Sequence, residues 1–313
     1  LRKQIQVRQG AQMTKFNTLI LLIALTISGC VSTSQPISPD SLNHYRDTLV
    51  DLNVNSIQAL TVEYEWNYRN FKERIKTQDR TDPNPLTLRF CGGRYQWKWG
   101  DCDADQTETP AFNVIAQSRT DLAMINQAMI DYANFLIQFS TANEGSKENL
   151  EAAAKKIGTA TKSISSRFGV DLNDDNIGAF ASIGVSVVQQ LLAKKQREGM
   201  TAVMADFQPG IQYFANLGSD AMAISAAGIK DEYNDENKKT TRAMAVENDG
   251  SKRWALVEQL LTLNEQTSAQ LDSLSILSAA YESLPNAHEE LMAALQSGQQ
   301  ASLAELVGHI EMI

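Results

Sequence analysis

The stretch Leu42–Ile75, LNHYRDTLVDLNVNSIQALTVEYEWNYRNFKERI, decides the fold. Its apolar residues recur at steps of three and four, as they do along the buried face of an amphipathic helix. They are Leu42, Tyr45, Leu49, Val50, Val54, Ile57, Leu60, Tyr64, Tyr68, Phe71 and Ile75. A helix of about 36 residues would extend roughly 54 Å. We therefore predict one long helix here, and we expect its aromatic residues Tyr64, Trp66, Tyr68 and Phe71 to pack in the core rather than form a binding stripe.

The same helical spacing recurs further along the chain. Apolar stripes begin at Phe112, Leu150, Met200 and Leu256, and turn-forming or helix-capping residues precede each of them, with Ser251 as the expected cap of the last. In the first of these helices we expect a buried stripe at Phe112, Ile115, Leu122, Ile125, Met129, Tyr132, Leu136 and Phe139. In the last we expect the inward residues to be Leu256, Leu260, Leu263, Leu271, Leu274, Leu277, Tyr281 and Leu284. We expect Pro285 to end the last long helix, with two short helices after it. Long helices with this spacing pack against one another at shallow angles. The sequence predicts an all-α fold, an elongated bundle of long antiparallel helices.

The residues before the first helix have the order of a secretory signal. In Met13–Cys30, MTKFNTLILLIALTISGC, a basic residue precedes an apolar run, and small residues precede a cysteine. The apolar run is too short to cross a membrane as a helix. Its end, Ile27-Ser28-Gly29-Cys30, resembles the lipobox of bacterial lipoproteins. That resemblance implies cleavage before Cys30 and lipidation of its sulfur and new amino terminus, which would anchor the protein to a membrane.

The boundaries expected from this pattern divide the chain into consecutive parts. Residues 1–30 are the signal peptide, with residues 1–12 as upstream sequence, and residues 31–40 are a polar tether. Residues 41–313 form a single helical domain with an insertion at 79–109. Val31 follows the cysteine where inner-membrane lipoproteins tend to carry aspartate, so the resemblance implies an outer-membrane lipoprotein facing the periplasm or the cell surface.

The insertion contains the one stretch that does not have a helical pattern, Leu86–Cys102, LTLRFCGGRYQWKWGDC. Two alternating runs flank Gly92-Gly93, a pattern typical of a two-residue β-hairpin. In that register the facing pairs would be Phe90 with Tyr95, Leu88 with Trp97, and Leu86 with Trp99.

A second constraint applies to the same stretch. Cys91 and Cys102 are the cysteines that remain after lipidation of Cys30, and in an oxidising compartment such a pair usually forms a disulfide. The Gly-Gly register would leave their Cα atoms near or beyond the roughly 7 Å limit for a bridge. We favour the disulfide and expect a shorter hairpin or a shifted register. We also expect the tip to bind a partner through Arg94, Trp97 and Trp99, while the alternative is that its aromatic face packs on the helix ends.

Composition excludes some kinds of partner. Cleavage at Cys30 removes four of the 28 Lys and Arg residues and none of the 37 Asp and Glu residues, which takes the formal net charge from −9 to −13. This charge argues against nucleic acid and against a polybasic lipid-binding patch. The acidic loop Asp171–Asn176 lacks the glycine and the bidentate glutamate of a calcium loop, so no metal site is expected. No catalytic or cofactor-binding motif occurs, and we predict neither an enzyme nor a cofactor.

Two functions remain open. The first is a lipid-anchored helical interaction or scaffold protein that binds a protein or another envelope component. The second is a membrane-active helical protein that would use the apolar segment 177–193, IGAFASIGVSVVQQLLA. For this segment alone, we favour a fully enclosed central helix over one that enters a membrane. The combination of long helices with one shielded apolar segment is similar to the architecture of the cytolysin A-type pore formers, but at the level of fold alone.

Overall fold

The computed structural model describes residues 39–77, 88–90, 97–99, 111–141, 147–168 and 196–313. All of them lie in one compact unit, Ser38–Ile313. The helices in these ranges are α1 (Pro39–Thr77), α2 (Ala111–Ser140), α3 (Lys147–Phe168), α4 (Gln196–Val246), α5 (Gly250–Ser297) and α6 (Ala304–Glu311). Two short strands, β1 (Leu88–Phe90) and β2 (Trp97–Trp99), lie between α1 and α2 in sequence. The all-α fold class is confirmed for this part of the chain.

Polar contacts between helices show the direction in which neighbours run. Between α4 and α5 the hydrogen-bonded pairs are Gln208 with Glu289, Ser219 with Glu282, and Tyr233 with Asn264. Between α1 and α2 they are Asn53 with Asn126 and Thr61 with Arg119, and between α2 and α3 the ion pairs are Asp121 with Arg167 and Asp131 with Lys156. In each case residue numbers rise along one helix as they fall along the other. These sequential neighbours are therefore antiparallel.

The buried face of α1 continues the 3-4 spacing more strictly than its apolar residues do. Its buried positions include Leu42, Tyr45, Leu49, Leu52, Ser56, Leu60, Glu63 and Asn67. The apolar stripe predicted from sequence departs from this series at Val54, whose side chain is 54% exposed. The second half of the helix consequently turns polar residues towards the interior.

Four aromatic residues in the second half of α1 were predicted to pack in the core, and that prediction was wrong. Tyr64, Trp66 and Phe71 are half-buried, and Tyr68 is exposed. Tyr64 stacks on Tyr68 with ring centroids 5.9 Å apart, and Phe71 lies 4.9 Å from Phe112 at the start of α2. Tyr64, Tyr68 and Phe71 pack against Phe112 of α2 at the edge of the core. The inward positions of this part of α1 are occupied by Glu63 and Asn67.

Pro285 does not end the last long helix, contrary to the prediction. Helix α5 continues through it to Ser297, where Gly298 in the left-handed conformation forms the C-cap. Proline removes one backbone donor, but Leu284, Ala287 and Leu291 around it are buried. Burial of these apolar side chains on both sides stabilises the continuous helix.

Strands β1 and β2 pair antiparallel, with Leu88 opposite Trp99 and Phe90 opposite Trp97. The Gly92-Gly93 register is therefore not formed, and the pairing is shifted from it by two positions, in agreement with the expected shift of register. A shift of two residues keeps every side chain on its original face of the sheet, so the alternating pattern alone cannot distinguish the two registers. The disulfide that motivated the expectation lies outside the described residues.

Candidate interaction surfaces

Most of the site residues predicted from sequence lie outside the described residues. These are Cys30, Cys91, Arg94 and Cys102. Trp97 and Trp99 are in β2, where their backbones pair with Phe90 and Leu88. The apolar segment 177–193 also falls outside the described ranges. The lipidation, disulfide, tip-binding and membrane-insertion hypotheses therefore remain predictions.

The distal part of the α4/α5 pair has almost no core of its own. From residue 230 of α4 to residue 270 of α5, only Thr240 and Thr267 are buried. Leu256, Leu260 and Leu263 were predicted to point inward, but they are half-buried. We call this segment the 230–270 helix pair.

The turn of the 230–270 helix pair is well defined. Asp249 caps α5, since its Oδ1 accepts hydrogen bonds from the backbone amides of Ser251 at 2.8 Å and Lys252 at 3.3 Å. The sequence suggested Ser251 as the cap, two positions too late. A side-chain cap satisfies helix donors that have no intrahelical partner. The two helices are therefore joined by a short, hydrogen-bonded connection.

Large apolar side chains on this helix pair face solvent. Val246 is 77% exposed, Trp254 is 61% exposed and Leu261 is 56% exposed. The indole nitrogen of Trp254 donates a hydrogen bond of 2.9 Å to Glu258 on the same helix, which holds the ring at the surface. Single exposed apolar side chains are common on protein surfaces. It is their occurrence on a helix pair with little core that makes this segment a candidate interaction surface.

A groove of about 1010 Å³ lies between α1 and the α5 side of the 230–270 helix pair. Its α1 wall runs from Asn55 to Asn70, which corresponds to about 22 Å of helix. Carboxamides occur along both walls, at Asn55, Gln58, Asn70, Gln259, Gln266 and Gln270. Trp66 and Arg69 line the same groove. We call it the α1/α5 groove.

One donor in the groove is unpartnered. The side-chain nitrogen Nε2 of Gln270 is buried and has no hydrogen-bond partner in the structure. A buried polar group without a partner costs free energy, on the order of 1–3 kcal/mol. Gln270 therefore lines the groove with a buried side-chain donor whose hydrogen bonding is incomplete.

Beside the groove, Glu63 is a buried carboxyl group between α1 and α4. It is 3% exposed, and the Ser225 hydroxyl donates a hydrogen bond to its Oε2. Burial raises the pKa of Glu63 to about 7, the Ser225 hydrogen bond opposes that rise, and the charge of Glu232 adds to it. Glu232 itself accepts a hydrogen bond of 2.6 Å from Asn70. A glutamate held in this way exchanges its proton near neutral pH.

A second buried polar group, His288, lies at the other end of the interior. The Tyr132 hydroxyl donates to its Nε2 at 2.8 Å, and its Nδ1 donates to the side-chain oxygen of Gln208. Gln208 in turn donates 2.9 Å to Glu289. Burial lowers the pKa of His288 to about 3. The imidazole is therefore neutral at neutral pH, and we interpret the chain of hydrogen bonds as structural.

Sequence reasoning missed Glu63 and Gln270, the residues that distinguish these sites. Glu63 could have been found by continuing the 3-4 steps of α1 from Leu60 without requiring an apolar residue. Gln270 carries no such signal, because its unpartnered state depends on how α5 packs against α1.

Among the described residues, no helix is long and apolar enough to span a membrane, and no cluster of three or more His, Cys, Asp or Glu side chains could hold a metal ion. Comparison of the whole chain with models of protein families, with curated proteins and with solved structures finds no match.

Proposed function

We propose that this protein is a lipid-anchored interaction or scaffold protein of the bacterial outer membrane, facing the periplasm or the cell surface. The anchor is the lipidated Cys30, and the partner is a protein or another envelope component. The signal layout of Met13–Cys30 supports the anchor. The observation that carries the interaction function is the 230–270 helix pair, whose apolar side chains lie at the surface of a helix pair with almost no core.

The physical reason for this proposal is the free energy that is lost when apolar side chains stay exposed to water. Each exposed apolar side chain forgoes burial worth about 25 cal/mol per Å². Val246, Trp254 and Leu261 leave that free energy unused in the isolated chain. A partner that covers them recovers it, and large aromatic anchors such as Trp254 contribute disproportionately to binding.

Site-specific photo-crosslinking in intact cells tests this function. A photoreactive amino acid at Trp254 should give a discrete crosslinked adduct on irradiation. The matched control is the same amino acid at Lys162, an exposed position on α3. A discrete adduct from Trp254 and none from Lys162 is the expected result. Equal adducts from both positions, or none from either, would contradict the proposed role of the helix pair.

We further propose that Cys91 and Cys102 form a disulfide that closes the insertion and that Arg94, Trp97 and Trp99 at its tip contribute to partner binding. The support is compositional, since these are the cysteines that remain once Cys30 is lipidated. Titration of free thiols under denaturing, non-reducing conditions should find none in the mature protein. Two reactive thiols per chain would exclude the bridge.

A further inference from the structure

The α1/α5 groove is built differently from the surface around it. Helix α5 carries acidic residues at Glu258, Glu265 and Asp272, all exposed and none lining the groove. The α5 wall is lined instead by Gln259, Thr262, Gln266, Gln270 and Ser273, together with apolar residues. In a chain with a net charge of −9, this wall is an uncharged polar strip.

The chemistry of that strip restricts the ligand. Carboxamides and hydroxyls both donate and accept hydrogen bonds, so they match a ligand with mixed donors and acceptors and no charge. An anionic ligand is disfavoured, because Arg69 is accompanied by Glu65 and Glu236 in the same lining. Gln270 lines the groove with its side-chain nitrogen buried and unpartnered, and a rotation of that side chain towards the groove would let a ligand hydroxyl or amide carbonyl accept a hydrogen bond from it.

The groove also offers an aromatic surface and an extended shape. Trp66 is half-buried in the α1 wall, and an indole combines a broad apolar face with a polar N–H group. A docked helix would require a continuous apolar face, whereas here carboxamides interrupt the apolar lining on both walls. A sugar ring has an apolar face and an edge that carries hydroxyl groups, so it fits a lining of mixed apolar and carboxamide side chains better than a helix does.

We propose that the α1/α5 groove binds a neutral oligosaccharide whose hydroxyl and N-acetyl groups hydrogen-bond to its carboxamides, with one sugar ring packed on Trp66. This proposal deepens the proposed interaction function and rests on it, since an envelope location gives access to glycans. The groove is nonetheless a separate feature from the lipid anchor and from the exposed residues of the 230–270 helix pair.

Isothermal titration of the full chain in detergent with the tetramer of N-acetylglucosamine tests the proposal. We expect saturable binding that weakens about tenfold or more in Trp66→Ala and in Gln270→Ala. Tyr68→Ala and Gln212→Ala are matched controls, because both residues are exposed and neither lines the groove, and they should bind as the wild type does. Circular dichroism checks that each variant is folded.

Three results would overturn the proposal. One is the absence of saturable binding, and another is equal binding by all four variants. The third is a concentration-dependent dimer that Trp66→Ala dissociates, which would assign the groove to a second copy of the chain. This experiment and the crosslinking experiment test different proposals. Crosslinking from Trp254 without glycan binding refutes the groove proposal alone. Absence of crosslinking from Trp254 refutes the proposed function of the helix pair.

Discussion

Single residues decide how closely the helices of this protein approach one another. Gly218 on α4 faces the ring of Tyr281 on α5, and a Cβ at this position would overlap that ring. The ring cannot easily move, because the Tyr281 hydroxyl hydrogen-bonds to Ser56 and to Asn126, each at 3.0 Å. Tyr281 therefore connects three helices through one side chain.

Gly218→Ala should accordingly destabilise the protein by about 2 kcal/mol or more, as overpacking of a filled core does. Chemical denaturation monitored by circular dichroism measures the change. Gly308→Ala is the matched control, since a Cβ there meets no atom within 4 Å. That control should be neutral or slightly stabilising, because alanine favours a helix over glycine. A neutral Gly218→Ala would mean that α4 and α5 are further apart than the structure shows.

The ionisation of Glu63 makes stability depend on pH. Its folded-state pKa is raised from 4.5 to about 7. Between these values the folded chain keeps a proton that the unfolded chain has lost. By linkage, this contribution to stability is present below pH about 4.5 and is lost as the pH rises towards about 7.

Glu63→Gln removes this ionisation while keeping an oxygen that can accept the Ser225 hydrogen bond. We expect the variant to be more stable than the wild type above pH about 7, by on the order of 3 kcal/mol, because one pKa unit corresponds to about 1.4 kcal/mol. The advantage should disappear towards pH about 4.5. Urea denaturation across this range measures it, with exposed Glu65→Gln as the control that should follow the wild type. A constant difference at all pH values would argue against a buried, proton-exchanging Glu63.

At the scale of elements, helix existence and approximate position were predictable, but the inward face was not always predictable. The apolar period located α1 and predicted the buried positions of α2 and of the second half of α5, where the core is apolar. It failed in the second half of α1, because polar Glu63 and Asn67 occupy inward positions there. It also failed at Leu256, Leu260 and Leu263, which are half-buried in a segment where only Thr240 and Thr267 are buried.

Large-to-small substitutions measure this difference between the central core and the 230–270 helix pair. Phe207 is 1% exposed, and its ring stacks on Tyr132 with centroids 4.3 Å apart. Phe207→Ala should cost about 3–5 kcal/mol. Leu263→Ala should cost clearly less, about 1 kcal/mol, because this side chain is only partly buried. Thermal or urea denaturation of both variants provides the comparison, and equal costs would show that the helix pair has a core after all.

At the scale of the whole molecule, two independent kinds of observation meet. The structure describes a helical unit with a groove whose α5 wall is polar and uncharged, and with a helix pair that exposes three large apolar residues. The proposal that this unit is held at a membrane comes from the Met13–Cys30 signal. The groove could not be predicted from sequence. Its walls come from α1 and α5, which are distant in the chain, and the pattern of polar residues in each helix does not show which faces lie opposite one another.

Incorporation of radiolabelled palmitate in growing cells tests the central claim of a lipid-anchored protein most directly. The wild-type chain should be labelled and should be recovered with outer-membrane markers. Cys30→Ser should abolish the label and leave an uncleaved precursor, because it removes the sulfur that would be acylated. Labelling of Cys30→Ser at the wild-type level, or no labelling of the wild type, would contradict the account.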